Sequence, residues 1–229
     1  MVQAPLMQPA AATPQQVSLL WLVGLHVAAL VVGHVLGSKS AELGPFLVTL
    51  TVLTFPVTFL TTDLVNELQG REWARRVTAI GLVAVGFAYA MIELARRLPP
   101  AIGSHLPPGA FDHVMALPFA HAIALLASYF FGQIVDIDMF HRLRMLTNGR
   151  RLWIRVLVST AVGELAGGLI VTSFILVAPA ATAGLTPMPA ALETVSDQAF
   201  LRLLMVVALL PVIYLVHRVH LAPSSLPAG

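Results

Sequence analysis

Five carboxylate or amide side chains, Asp63, Asn66, Gln133, Asp136 and Glu164, stand inside apolar stretches at spacings that give them shared helix faces. In FPVTFLTTDLVNELQGREWARR, residues 55–76, Phe59, Asp63, Asn66 and Glu67 recur three or four positions apart and form one stripe. SYFFGQIVDIDMFHRLR, residues 128–144, repeats the pattern with Tyr129, Gln133 and Asp136, and Phe140 extends the row. In STAVGELAGG, residues 159–168, Glu164 stands about 18 Å along a helix from Leu152 at 1.5 Å per residue. A carboxylate accepts from adjacent N–H donors, an amide both donates and accepts, and aromatic rings stack on flat solutes. This is chemistry for holding a polar solute. No GxS nucleophile motif and no GxxxxGK[ST] phosphate loop appears, so the chain is expected to be neither an enzyme nor an ATPase.

Asp63 and Asp136 also have a plainer reading as interfacial carboxylates, and Glu164 as a protonated, hydrogen-bonded glutamate that only packs. Glu67, Glu72 and Asp138 are expected at the interface, paired with neighbouring arginines. Gln133 lies a turn deeper than Asp136 and needs partners where water is scarce. A centred acid such as Glu164 costs about 2.5 to 3.5 kcal/mol to insert, so it is expected to face a bundle interior or cavity.

The elements that carry these residues belong to a membrane. The 229 residues are 58% hydrophobic and only 10% charged, with a mean hydropathy of +0.86, whereas soluble domains hold about 25% charged residues. A span needs roughly 20 mostly apolar residues. Six such windows appear, at 17–37, 44–65, 76–98, 113–136, 152–178 and 199–219. The expected architecture is all-α: one bundle of six transmembrane helices over residues 17–220, with a disordered N-terminal tail over 1–16 and a Pro/Ser-rich C-terminal tail over 221–229. There are no cysteines, hence no disulfides and no cysteine-ligated metal.

Orientation follows from the 13 basic residues. Arg71, Arg75, Arg76, Arg142, Arg144, Arg150, Arg151, Arg155 and Arg218 fall on one side; Lys39, Arg96, Arg97 and Arg202 fall on the other. Short basic loops stay in the cytoplasm, which puts both termini inside. These charges border spans and form no stripe, so a nucleic-acid partner is not expected.

The strings FPVTFLTTDLVNELQGREWARR, GQIVDIDMFHRLR, LWIRVLVSTAVGE and PVIYLVHR, in that order over about residues 31–218, resemble the queuosine precursor transporter family, also called the vitamin uptake transporter family. The resemblance implies a multi-pass protein of the bacterial inner membrane. It implies uptake of 7-cyano-7-deazaguanine, its aminomethyl derivative or queuine, for tRNA modification. Such bases carry N–H donors, a carbonyl and a flat π face. Asp63, Asn66, Gln133, Asp136 and Glu164 would meet the polar edge, and Phe59, Tyr129 and Tyr214 the face. The set suits a neutral or weakly cationic purine-like solute and would suit an anion poorly, since few interior cations are expected. One departure stands out: family members carry Gln and, three residues on, Asp in the fifth helix, where this chain has Glu164 and Gly167. Altered specificity and conserved recognition are both compatible with that.

Coupling is open among proton symport through Glu164, facilitated diffusion, and service as the substrate-binding subunit of separate ATPases or as a carrier of another vitamin or nucleobase. Pro56 and Pro211 are candidate flexing points. Ser159, Gly163 and Gly167 make a small-residue face for a close helix contact, within one chain or in a homodimer. No cofactor or metal is expected. The competing class is a haem cytochrome, since His26 and His34, and His113 and His121, stand eight apart, about 12 Å along a helix, and could serve two stacked haems.

Overall fold

A computed structural model describes residues 14–101, 107, 109–115, 119–177 and 188–221. Its elements are α1 (Pro14–Leu36), β1 (Ser40–Leu43), β2 (Phe46–Thr49), a 3-10 segment (Leu50–Leu53), α2 (Phe55–Gln69), α3 (Arg71–Arg96), α4 (Ala110–Met115), α5 (Phe119–Leu146), α6 (Leu152–Val177) and α7 (Met188–Leu221). Among the described residues, five helices are long and apolar enough to cross a membrane: Gln16–Leu36, Arg71–Arg96, Ala122–Leu146, Leu152–Phe174 and Ser196–Leu215. The protein is therefore a mostly helical, multi-pass membrane protein. Residues 1–13 and 222–229 of the expected tails lie outside the described residues, and α1 begins at Pro14, inside the segment expected to be disordered.

The second expected span, 44–65, is not one helix. Ser40–Thr49 form an antiparallel hairpin with Leu43 opposite Phe46. Its two-residue connection places Gly44 at φ 64° ahead of Pro45, the position that type II′ turns reserve for glycine. The chain then passes through the 3-10 segment into α2. Pro56 stands in the first turn of α2, where its missing N–H has no helical partner to lose, so it starts the helix rather than bending it. Pro211 does lie inside α7. The fourth expected span is likewise divided, since His113 belongs to the short α4 and the long helix begins at Phe119.

The short, polar α2 is the centre of the bundle. Pro56 and every residue from Thr58 to Asn66 are buried, while the longer helices turn Trp21, Val83, Leu165 and Leu169 outward. Lipid solvates apolar side chains as well as the interior does, so what must be hidden is the polar helix. Leu60 and Leu64 pack with Phe140, Leu152, Val156, Val206 and Ile213 from α5, α6 and α7. On the other flank, Val65 packs with Ala74, Val77 and Ile137. Gly70, at φ 89°, turns α2 directly into α3 and caps it with an N–H to Asn66 carbonyl bond of 3.1 Å.

α5 and α6 form an antiparallel pair held by small residues, the contact that Gly163 and Gly167 suggested, and it lies within one chain. A Cβ on Gly163 would stand 2.8 Å from the Gly132 carbonyl and 2.8 Å from Asp136 Cβ. The Ser128 hydroxyl donates to the Gly167 carbonyl at 2.9 Å. Gly163→Val is expected to force the two backbones apart and destabilise the protein by about 1–3 kcal/mol, read as a lower unfolding midpoint in detergent and as displacement of Asp136.

Candidate functional site

α2, α5 and α6 bring Phe59, Asp63, Gln133, Asp136 and Glu164 into one buried region, with relative exposures from 0% to 8%. Thr62 joins α2 to α5, its hydroxyl 3.0 Å from Gln133 Oε1. Phe59 reaches the α6 backbone, its ring edge 3.4 Å from where a Gly163 Cβ would be. Asp136 faces Ser159, Thr160 and Glu164 on α6, and Asp63 lies within electrostatic reach of Asp136, Arg155 and Glu67.

Among the described residues, both oxygens of Asp63, both of Asp136, Gln133 Nε2, Thr160 Oγ1 and Glu164 Oε1 are buried without a protein hydrogen-bond partner. Buried polar groups are normally satisfied, because each orphan costs about 1–3 kcal/mol. These groups converge from three helices, α2, α5 and α6. The groups are rich in acceptors, with an amide and a hydroxyl to donate.

Two arginines flank this region, and sequence reading missed both as interior cations. Arg155 is fully buried, bonds Glu67 at 2.8 and 3.2 Å, and lies 5.1 Å from the centre of the Phe140 ring. Arg202 bonds Glu164 at 2.9 Å and Gln198 at 3.0 Å, with its guanidinium 4.0 Å over the Phe55 ring. The signal was present, since both arginines lie inside apolar windows. Helical spacing, however, relates residues on one helix and says nothing of partners on another. Glu67 pairs with arginines as expected, with Arg155 at 2.8 Å and Arg144 at 3.7 Å, and its side chain is only 7% exposed. Asp138 does behave as expected, with both oxygens 2.8 Å from Arg75 at a partly open end of the bundle.

Three other candidates serve elsewhere. Asn66 donates to the Ile137 carbonyl at 3.0 Å and fastens α2 to α5. Tyr129 turns toward α1 and α3, 2.8 Å from His26 Nε2, beside Leu30 and Val85. Tyr214 is 43% exposed and its hydroxyl accepts from the Trp153 N–H at 3.3 Å.

The histidines read as packing groups. His26 Nδ1 is 2.9 Å from Thr61 Oγ1. The Thr61 hydroxyl also donates to the Thr58 carbonyl at 2.9 Å and the Tyr129 hydroxyl also reaches the Thr78 carbonyl at 3.4 Å, so His26 joins α2 and α5 through its two ring nitrogens. His34 bonds the Leu30 carbonyl at 2.7 Å and meets Tyr89 edge-on. His113 lies in α4 and not on the helix of His121, whose side chain is outside the described residues. A Cβ on Gly81 would come within 2.9 Å of both Tyr129 Oη and His26 Nε2, so Gly81→Val is expected to break this junction of α1, α3 and α5 and to lower the unfolding midpoint by several degrees.

A multi-pass helical bundle with buried polar groups at its centre is compatible with a membrane carrier of small solutes. Residues 49–216 match the family described as "Putative vitamin uptake transporter", and the chain belongs to that family. It is a transporter and not an enzyme. The queuosine precursor transporter of Escherichia coli (strain K12) is 28% identical over 158 residues, which cover 69% of this chain and 68% of that protein. No solved structure matches the chain.

Proposed function

We propose that this protein imports queuosine precursors across the bacterial inner membrane, taking 7-cyano-7-deazaguanine, 7-aminomethyl-7-deazaguanine or queuine as substrate. The observation that carries the reading is the set of orphaned acceptors and donors on Asp63, Gln133, Asp136, Thr160 and Glu164. A deazaguanine edge offers several N–H donors and one carbonyl, which complements that set, and the Phe59 ring supplies a surface for its flat face. The name of the Escherichia coli relative supports the same solute class.

The chain crosses the bilayer six times in this proposal. α2 has 15 residues, about 22 Å at 1.5 Å per residue. The 3-10 segment adds about 8 Å, which together approaches the roughly 30 Å of the hydrocarbon core. The end that carries Arg71, Arg75, Arg144 and Arg155 faces the cytoplasm, with both termini, by the positive-inside rule. Transport is secondary or facilitated. Glu164 bonds Arg202, so a coupling proton would sit on Asp63 or Asp136, which have no arginine partner.

The test uses bacterial cells that can neither make nor import queuosine precursors, expressing this chain and fed 7-cyano-7-deazaguanine, with queuosine in tRNA as the readout. Restoration is expected. Absence of queuosine despite confirmed membrane expression, repeated with the aminomethyl compound and queuine, would overturn the assignment.

A further inference from the structure

We propose that the two buried arginine pairs are the gates of the transport cycle: Arg202 with Glu164 closes the central cluster toward the hairpin end, and Arg155 with Glu67 closes it toward the opposite end. The proposal rests on reading the cluster around Asp63, Gln133 and Asp136 as the solute site. It deepens that reading by naming the residues that control access.

The positions come from helix direction. His26 meets Thr61 and Gly33 meets Thr54, so α1 runs antiparallel to α2. Thr62 meets Gln133 and Asn66 meets Ile137, so α5 runs parallel to α2. α6 returns against α5, with Gly163 beside Asp136 and Gly167 beside Ser128. Along α6, Arg155 and Glu164 are therefore about 13 Å apart at 1.5 Å per residue, with Ser159, Thr160 and Gly163 between them. The cluster lies between two ion pairs. Each pair also joins two elements: Arg155–Glu67 ties α6 to α2, and Arg202–Glu164 ties α7 to α6.

When a pair parts, its members have second partners in place, which offset part of the loss. Arg202 lies over Phe55 and is 3.0 Å from Gln198 and 3.3 Å from Thr51. Arg155 has the Gly149 carbonyl at 3.3 Å and the Phe140 ring, and Glu67 has Arg144 at 3.7 Å. Glu164 commits one oxygen to Arg202 while Oε1 is buried without a partner. A solute that donates to Oε1 draws on the same carboxylate charge that holds Arg202 and so weakens that bond, which links occupancy to release of the hairpin-side gate. The hairpin would move with α7, to which it is bound through Leu47 N–H to Asp197 at 3.2 Å and stacking of Phe46 on Phe200.

The chain has no cysteine, so a single reporter thiol can be placed in the cluster as Thr160→Cys. Its reaction with a membrane-impermeant maleimide is measured from each face of oriented vesicles, in three backgrounds: unchanged, Glu164→Gln with Arg202→Gln, and Glu67→Gln with Arg155→Gln. The paired neutral variants avoid stranding a buried charge. The expected result is slow labelling from both faces in the first background. The second should accelerate at least tenfold from the hairpin face alone, and the third equally from the opposite face alone. Equal rates in all three backgrounds, or acceleration of both variants from the same face, would overturn the gates. As a variant that leaves both pairs intact, Thr49→Cys with Gln198→Cys joined by a cleavable bifunctional thiol reagent should fix the hairpin to α7, stop uptake, and release it on cleavage. Undiminished uptake with the link in place would remove the hairpin-side gate. The labelling arm needs no solute, so it separates failure of the gates from failure of the substrate assignment.

Discussion

Replacing either Asp63 or Asp136 with asparagine should lower deazaguanine uptake by about tenfold to a hundredfold while leaving the protein folded. Both carboxylates are buried; among the described residues Asp63 has no hydrogen-bond partner, and Asp136 is approached by the Ser159 and Thr160 hydroxyls of α6 without a well-formed bond, so the loss of either should cost the fold little. The loss would fall on the solute. A hydrogen bond to a charged group is worth about 1.5–3 kcal/mol, and every 1.4 kcal/mol is a factor of ten in binding. Asparagine preserves volume but turns one acceptor into a donor, which meets the N–H edge of the base with the wrong polarity. Initial uptake rates at subsaturating solute, beside unfolding midpoints in detergent, check this. A fall in uptake matched by a fall in stability would mean that the aspartates are structural. Tyr214→Phe supplies the contrast: exposed and bound only through a 3.3 Å contact to the Trp153 N–H, it should change uptake by less than about twofold. Asn66→Ala should act on stability first, since it leaves the Ile137 carbonyl without its side-chain donor.

How much of this was legible depends on what kind of relation a sequence encodes. Relations along one helix were readable. The stripe of Phe59 and Asp63, the pair Gln133 and Asp136, and the small face of Gly163 and Gly167 all follow from a period of 3.6 residues, and these residues meet. Composition alone made the protein a multi-pass bundle. Relations between helices were not readable: nothing in the spacing pairs Arg155 with Glu67 or Arg202 with Glu164, although each arginine interrupts an apolar window. The same limit hid Tyr129, whose position on the stripe is right but whose hydroxyl is taken by His26 from α1. Near the hairpin end of α2, hydropathy misled. Residues 44–54 are apolar enough to continue a span, yet Gly44-Pro45 between Leu43 and Phe46 is a hairpin signal, and Thr49, Thr51 and Thr54 suit the extended and 3-10 backbone that follows. Composition measured how oily the segment was and overlooked its turn chemistry. Pro56 shows the converse, since a proline inside an apolar window reads as a kink until the start of the helix is known.

The largest effect on stability should come from Arg155. Its guanidinium has no solvent contact and makes two bonds to Glu67 and one to Gly149. Arg155→Met alone would take away the two short bonds of Glu67, a side chain only 7% exposed and within electrostatic reach of Asp63, and leave it the longer contact to Arg144 at 3.7 Å. Breaking a buried pair from one side typically costs about 3–5 kcal/mol, whereas replacing both members with apolar residues of similar size is often neutral. Arg155→Met should therefore unfold far below the parent protein, and Arg155→Met with Glu67→Leu should regain most of the loss. If Arg155 serves the fold alone, uptake should return together with stability. A gate requires otherwise: the double variant should be stable and yet transport poorly, because the pair that closes the cluster toward the arginine-rich end is gone. Unfolding midpoints and uptake measured on the same four proteins, the parent, the two single variants and the double, separate the energetic role of this arginine from its part in the transport cycle.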